Sequence, residues 1–103
     1  MTIVEVSITA NDVVLNSDDD TRLRIESRLK IAAPDGATAE FENVRDAAGT
    51  FTGLLGHAIT EATGVPDGTL TLVFEDGTVC TVFDDSDSYE SYEIKHGDVC
   101  ITV

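Results

Sequence analysis

The chain has 103 residues with 42% hydrophobic content, and twenty Asp and Glu against six Lys and Arg give it a formal charge of −14 at pH 7. That length suits a single domain over 1–103 with one modest core, and the hydrophobic content belongs to a folded chain rather than a disordered one. The acidity argues against nucleic acid and anionic membrane as direct partners, because phosphate binding needs clustered Lys and Arg; it points instead to a basic partner, a salty environment or solubility.

The N-terminus, Met1-Thr-Ile-Val-Glu-Val, alternates like a strand and lacks the basic start and long apolar stretch of a signal peptide. With no apolar run near the roughly 18 residues of a membrane span, a cytoplasmic protein is expected. A two-residue turn within Ala10-Asn11-Asp12-Val13 pairs Ile8 with Leu15 and turns Val4, Val6 and Ile8 inward. Next, Ser17-Asp18-Asp19-Asp20-Thr21 fits a three-residue bulged loop that pairs Leu15 with Leu23 and Val13 with Ile25. Asp20 then takes the left-handed position, which Asp visits more readily than most residues. A long strand over 21–33 follows, and a bulged turn at Pro34-Asp35-Gly36 pairs Lys30 with Glu40 and Arg28 with Glu42. The first half therefore reads as a meander of four strands, about 2–10, 13–17, 21–33 and 37–44.

Between the halves, Ala47, Phe51, Leu54 and Leu55 have helical spacing, with Asn43 or Asp46 as N-cap and Gly56 as the stop. This linking helix, about 46–55, contains Gly49, Thr50, Thr52 and Gly53, so packing on a sheet must hold it. Strands near 58–64, 69–74, 78–83, 89–95 and 98–103 make up the second half. At Glu75-Asp76-Gly77 a two-residue loop would mix apolar and polar residues on one face. The three-residue loop with Gly77 in a bulge pairs Phe74 with Thr78, Leu72 with Cys80 and Leu70 with Val82, placing the apolar residues together. These inward positions lie a constant 57 residues beyond Leu15, Leu23, Val13 and Ile25, which fits either a degenerate internal duplication, with halves of about 1–44 and 57–103, or two hairpins that merely look alike. Neither simple loop at Pro66-Asp67-Gly68 fixes the phase of the strand at 58–64. The expected fold is α+β: β-rich, antiparallel, from two meander-like halves with one short helix between them.

The stretch Gly68-Thr-Leu-Thr-Leu-Val-Phe-Glu-Asp-Gly77, followed by Tyr89-Glu-Ser-Tyr-Glu-Ile94, resembles a family of small uncharacterised domains common in actinobacteria. Members of that family read Gly-x-Leu-x-Leu-x-Phe-x-Asp-Gly and then Tyr-Glu-x-Trp, with Tyr92 standing here in place of the Trp; Leu54-Leu-Gly56 is similar to the usual lead-in. The resemblance implies a fold of this kind and carries no activity.

Chemistry-bearing residues are few. Arg22, Arg24, Arg28 and Lys30 alternate along one strand, where cross-strand pairing with Glu40 and Glu42 makes a salt-bridge ladder the stronger reading than an anion site; Arg22 and Arg24, facing Asn16 and Val14, stay freer. From Glu75 to Asp98 the chain carries eight acids against Lys95 alone. Asp84-Asp85-Ser-Asp87-Ser-Tyr-Glu90 offers oxygens for calcium but lacks EF-hand spacing and its glycine, so a solvated acidic loop is the stronger reading. Asp84, Asp85, Asp87, Tyr89, Glu90, Tyr92 and Glu93 form the candidate partner-binding set, since tyrosines among carboxylates suit a basic protein surface; the alternative is that one or both tyrosines pack into the sheet. Cys80 and Cys100 are too few for a disulfide framework, and with His57 and His96 they form no paired zinc motif. No phosphate loop, nucleophile elbow or Cys/His dyad is present, so neither catalysis nor a cofactor is expected. The functional expectation is a small acidic interaction module, possible as an immunity-type inhibitor or nucleic-acid mimic. Its rival is a self-associating β domain that pairs through an edge strand at 99–103 as a homodimer, with acidity serving solvation.

Overall fold

A computed structural model describes residues 1–65, 68–84, 92–97 and, by their backbone, 99–102. Strands β1 (Ile3–Ile8), β2 (Val13–Ser17), β3 (Thr21–Ile25), β4 (Leu29–Ala32) and β5 (Thr38–Phe41) lead to a 3₁₀ turn (Val44–Ala47) and helix α1 (Ala48–Gly53). Strands β6 (Ile59–Gly64), β7 (Leu70–Phe74), β8 (Val79–Val82), β9 (Tyr92–His96) and β10 (Val99–Thr102) follow. They form two antiparallel five-stranded sheets, ordered β1-β2-β3-β9-β10 and β5-β4-β8-β7-β6. The β-rich α+β class with one short helix is as expected.

Hairpin registers follow the turn chemistry. Leu15 pairs with Leu23 and Val13 with Ile25, while Leu72 pairs with Cys80 and Leu70 with Val82. Asp20 has φ +66° and Gly77 φ +95°, so both occupy the left-handed position of a bulged loop. Lys30 pairs with Glu40 across a loop closed by Gly36 at φ +92°.

The first half is not one continuous meander of four strands. The strand expected over 21–33 breaks at 26–28, where the chain leaves one sheet and enters the other as β4. Alternation puts Ser27 in the inward slot between Ile25 and Leu29, and a buried hydroxyl must find an acceptor. Ser27 is 3% exposed and its Oγ donates to the Phe83 carbonyl at 2.6 Å, while the Phe83 N–H donates to the Arg28 carbonyl at 3.1 Å. Phe83 lies in the second crossing between the sheets, so the two crossings hold one another. Each sheet therefore takes three strands from one half and two from the other.

The first turn also differs from expectation. Ile8 pairs with Val13 and Val6 with Leu15, two residues away from the expected register. Thr9 is the reason: its Oγ1 donates to Asp12 Oδ1 at 2.8 Å and accepts the N–H groups of Asn11 (3.2 Å) and Asp12 (3.1 Å), seating the turn on Ala10 and Asn11. A bulge between Ile3 and Glu5 reverses the phase there, so Ile3 is buried and Val4 58% exposed; Val6 packs partly against the core, while Ile8, opposite Val13 at the end of the strand, is 46% exposed. The same bulge recurs between Ile59 and Glu61, which settles the phase of β6 with Ile59 inward.

Where the halves meet, backbone contacts occur in matched pairs. Thr2 and Ala58 form an antiparallel bridge. Around it the Ile3 N–H donates to the His57 carbonyl (3.0 Å) and the Ile59 N–H to the Met1 carbonyl (2.7 Å). The Asp18 N–H donates to the Thr2 carbonyl (3.0 Å), and the Glu75 N–H to the Ala58 carbonyl (2.8 Å).

One apolar cluster fills the space enclosed by the sheets and the helix. Leu15, Leu23 and Ile25 from one sheet meet Leu72, Phe74 and Val82 from the other, and Val44, Ala47, Phe51 and Leu54 close the cluster from the helical segment. Asn43 is the N-cap, its Oδ1 accepting the Arg45 N–H at 3.1 Å. Leu55, expected inward, is 45% exposed because the helix ends at Gly53 and the chain turns away at Gly56, φ +85°. Burying Phe51 contributes about 1.5–3 kcal/mol, which offsets the poor propensity of its Gly and Thr neighbours.

Candidate functional site

Of the candidate partner-binding residues, Asp85, Asp87, Tyr89 and Glu90 lie outside the described residues. The three that are described do different things. Asp84 is exposed and sits against Gly68, whose φ of +94° already requires glycine; a Cβ there would lie 2.7 Å from the Asp84 Cβ. Tyr92 is 4% exposed and belongs to the core, its hydroxyl donating to the Gly68 carbonyl at 2.8 Å. It is an anchor and leaves the set of surface contacts. Glu93 is half-buried on the outer face of the first sheet, 3.5 Å from the Arg24 guanidinium. Both flanks of the acidic segment are thus tied to the Gly68 turn.

The length of that segment departs from the correspondence between halves. The chain crosses from β3 to β4 in three residues, 26–28, and from β8 to β9 in nine, 83–91. The acids Asp84, Asp85, Asp87 and Glu90 all fall in the longer crossing.

A second concentration of acids lies in the hairpin turns beside the Thr2–Ala58 bridge. Asp18, Asp19 and Asp20 follow β2, and Glu75 and Asp76 follow β7, at matching positions of the two halves. Asp19 accepts a hydrogen bond from Ser17 Oγ, and the Ser17 and Thr21 hydroxyls together hold its carboxyl below the ordinary value of 3.8. In the other turn the Thr78 N–H donates to Asp76 Oδ1 at 2.8 Å, and that bond, with the Thr78 hydroxyl, lowers Asp76 in the same way. Thr21 and Thr78 are themselves buried, at 6% and 5% exposure. Glu75 is also 3.3 Å from His57 Nδ1.

The bases do not form one ladder. Arg22 and Arg24 lie on β3 in the first sheet, Lys30 lies on β4 in the second, and Arg28 occupies the crossing between them. Arg24 bridges Glu26 and Glu93, both at 3.5 Å, so it is less free than expected. Arg28 reaches Glu40 at 3.6 Å and lies over the Phe83 ring, 4.2 Å from its centroid. Sequence reasoning missed the partner of Arg22: across the β3–β9 pairing it stands directly opposite Lys95. Only the strand order brings these two together, and no local signal announces it.

Among the described residues, open recesses include two of similar size. One, about 410 Å³, is lined by Ala10, Asn11, Glu26, Glu42 and Asn43. The other, about 430 Å³, is lined by Asn16, Ser17, Asp20, Thr21, Arg22, Lys95 and Gly97. Beside the second, Thr21 Oγ1 and His96 Nδ1 are 2.6 Å apart, joining β3 to β9. His57 is placed beside Glu75 and His96 beside Thr21, and among the described residues no three metal-ligating side chains converge. Cys80 is a free, fully buried thiol opposite Leu72, and burial pushes its pKa up to about 12, far from a reactive thiolate. No helix among the described residues is long and apolar enough to cross a membrane.

Neither the curated proteins nor the solved structures contain a match to this chain. A model of a family of unknown function, DUF6188, matches residues 1–102, and the chain belongs to that family.

Proposed function

We propose that this protein is a small acidic interaction module that binds and occludes a basic protein surface, in the manner of an immunity-type inhibitor or a nucleic-acid mimic. The observation that carries the reading is the unequal length of the two crossings. The shorter one shows that three residues are enough to pass between the sheets, while nine residues separate β8 from β9. Connections longer than the commonest spans are where binding residues concentrate. This one carries Asp84, Asp85, Asp87, Tyr89 and Glu90, and its flanks are anchored by Tyr92 and by the close fit of Asp84 on Gly68. Carboxylates steer a cationic partner and give fast, salt-sensitive association, while an aromatic side chain supplies contact area. A cytoplasmic setting fits this role.

Removing residues 85–90 shortens the second crossing to three residues and tests the proposal. A basic nuclease domain serves as the probe, with binding measured at low and at physiological salt. The full chain should bind with a steep salt dependence and the shortened, folded chain at least tenfold more weakly. Equal binding by the two would refute the assignment.

A second reading rests on the strand order. Among the described residues β10 lies at the edge of the first sheet, and an edge strand offers a template for another chain. A monomeric mass in solution across a hundredfold range of concentration would count against it.

A further inference from the structure

The recess at the Arg22–Lys95 pair has a composition that charge economy does not explain. Twenty acids are available to six bases, yet these two bases face each other across neighbouring strands, and neither holds an ion pair among the described residues. Like charges directly opposite are destabilising in a sheet. Nearby acids are committed elsewhere: Glu5 accepts from the Asn16 side-chain amide at 2.7 Å, and Glu93 is held by Arg24. Among the described residues Asp20 is the one carboxylate lining the recess. Nor does the fold require charge here. At the matching register positions of the second sheet Val79 stands opposite Ala32, an uncharged pair in the same pleat.

We propose that this recess binds a small dianionic oxyanion, a phosphate group being the closest fit to two opposed cations. The Arg22 guanidinium supplies a planar set of donors and Lys95 a second positive charge, with the polar side chains of Asn16 and Ser17 on the β2 side and Gly97 on the other. The ligand must be small. A polyanion would also meet Asp18 and Asp19 in the adjoining turn, whereas a single phosphate meets Asp20 alone beside the pair.

Titration of the full-length protein with inorganic phosphate, followed by amide NMR shifts at constant ionic strength against chloride, tests this. Saturable shifts at Ser17, Arg22, Lys95 and Gly97 are expected. The double variant Arg22→Val with Lys95→Ala carries the residue types that the second sheet already holds at these positions, so it should fold, and its apparent affinity for phosphate should fall about tenfold or more. Shifts that do not saturate, that match those in chloride, or that persist unchanged in the folded double variant would overturn the proposal. If the double variant does not fold, Arg22→Gln alone serves the same comparison.

Discussion

Residues 26–28 and 83–91 perform the same task, carrying the chain from one sheet to the other, and they touch through Ser27, Arg28 and Phe83. The short crossing is held by a buried serine and a cation over an aromatic ring, and nothing in it is spare. The long one keeps its end of those contacts and adds a run of acids. The difference separates what the architecture needs from what it carries. Around the crossings the halves agree closely: the β2–β3 and β7–β8 hairpins share a register, a bulged turn and a lowered aspartate, and β1 and β6 share a bulge. Such agreement is what a duplication would leave behind.

The largest test of that agreement lies in the core. Leu15 and Leu72 occupy matching inward positions and each is 2% exposed. Leu15→Ala and Leu72→Ala should each cost about 3 kcal/mol in urea unfolding, within about 1 kcal/mol of one another. A near-zero cost for either would break the equivalence.

A smaller effect separates the two turns. Asp20 pays a conformational penalty that Gly77 avoids, so Asp20→Gly should stabilise by about 0.5–1 kcal/mol and Gly77→Asp should destabilise by a similar amount. Changes of the same sign would show that the two left-handed positions are not interchangeable.

The smallest effect concerns acid. Asp19 and Asp76 have folded pKa values below their unfolded value near 3.8, so their contribution is fully present above that value and disappears as pH falls through the lower folded one. Above about pH 4 these two aspartates leave stability unchanged. Below about 4 it should fall. Asp19→Asn with Asp76→Asn should flatten that acid limb in a pH series of thermal melts; an unchanged limb would assign acid sensitivity to other groups.

The hairpins were legible in the sequence because each has one buried face, which fixes register, and a residue at the bulge that tolerates positive φ: Asp20, Gly36 or Gly77. The class, the helix and the buried place of Cys80 beside Leu72 followed from the same logic. Strand order was not legible, since β3 pairs with β9 across some seventy residues and no local pattern selects that partner. One signal was available and unused: Ser27 stands in an inward slot between Ile25 and Leu29, which marks a break in the strand. Of the candidate site, the acidity of the 84–90 segment was plain. The inward placement of Tyr92 was not, because it depends on Tyr92 pairing with Ile25 on β3. For the same reason Arg22 and Lys95 read as unrelated residues until the sheet brings them together.

The exchange of strands between sheets underlies both the two crossings and the Arg22–Lys95 pair, and cross-strand NOEs in isotopically labelled protein measure it directly. The account predicts backbone contacts between Leu23 and Ile94 and between Ile31 and Cys80, the pairings that join one half of the chain to the other. Contacts joining Tyr92–His96 to Val79–Val82 in their place would contradict it.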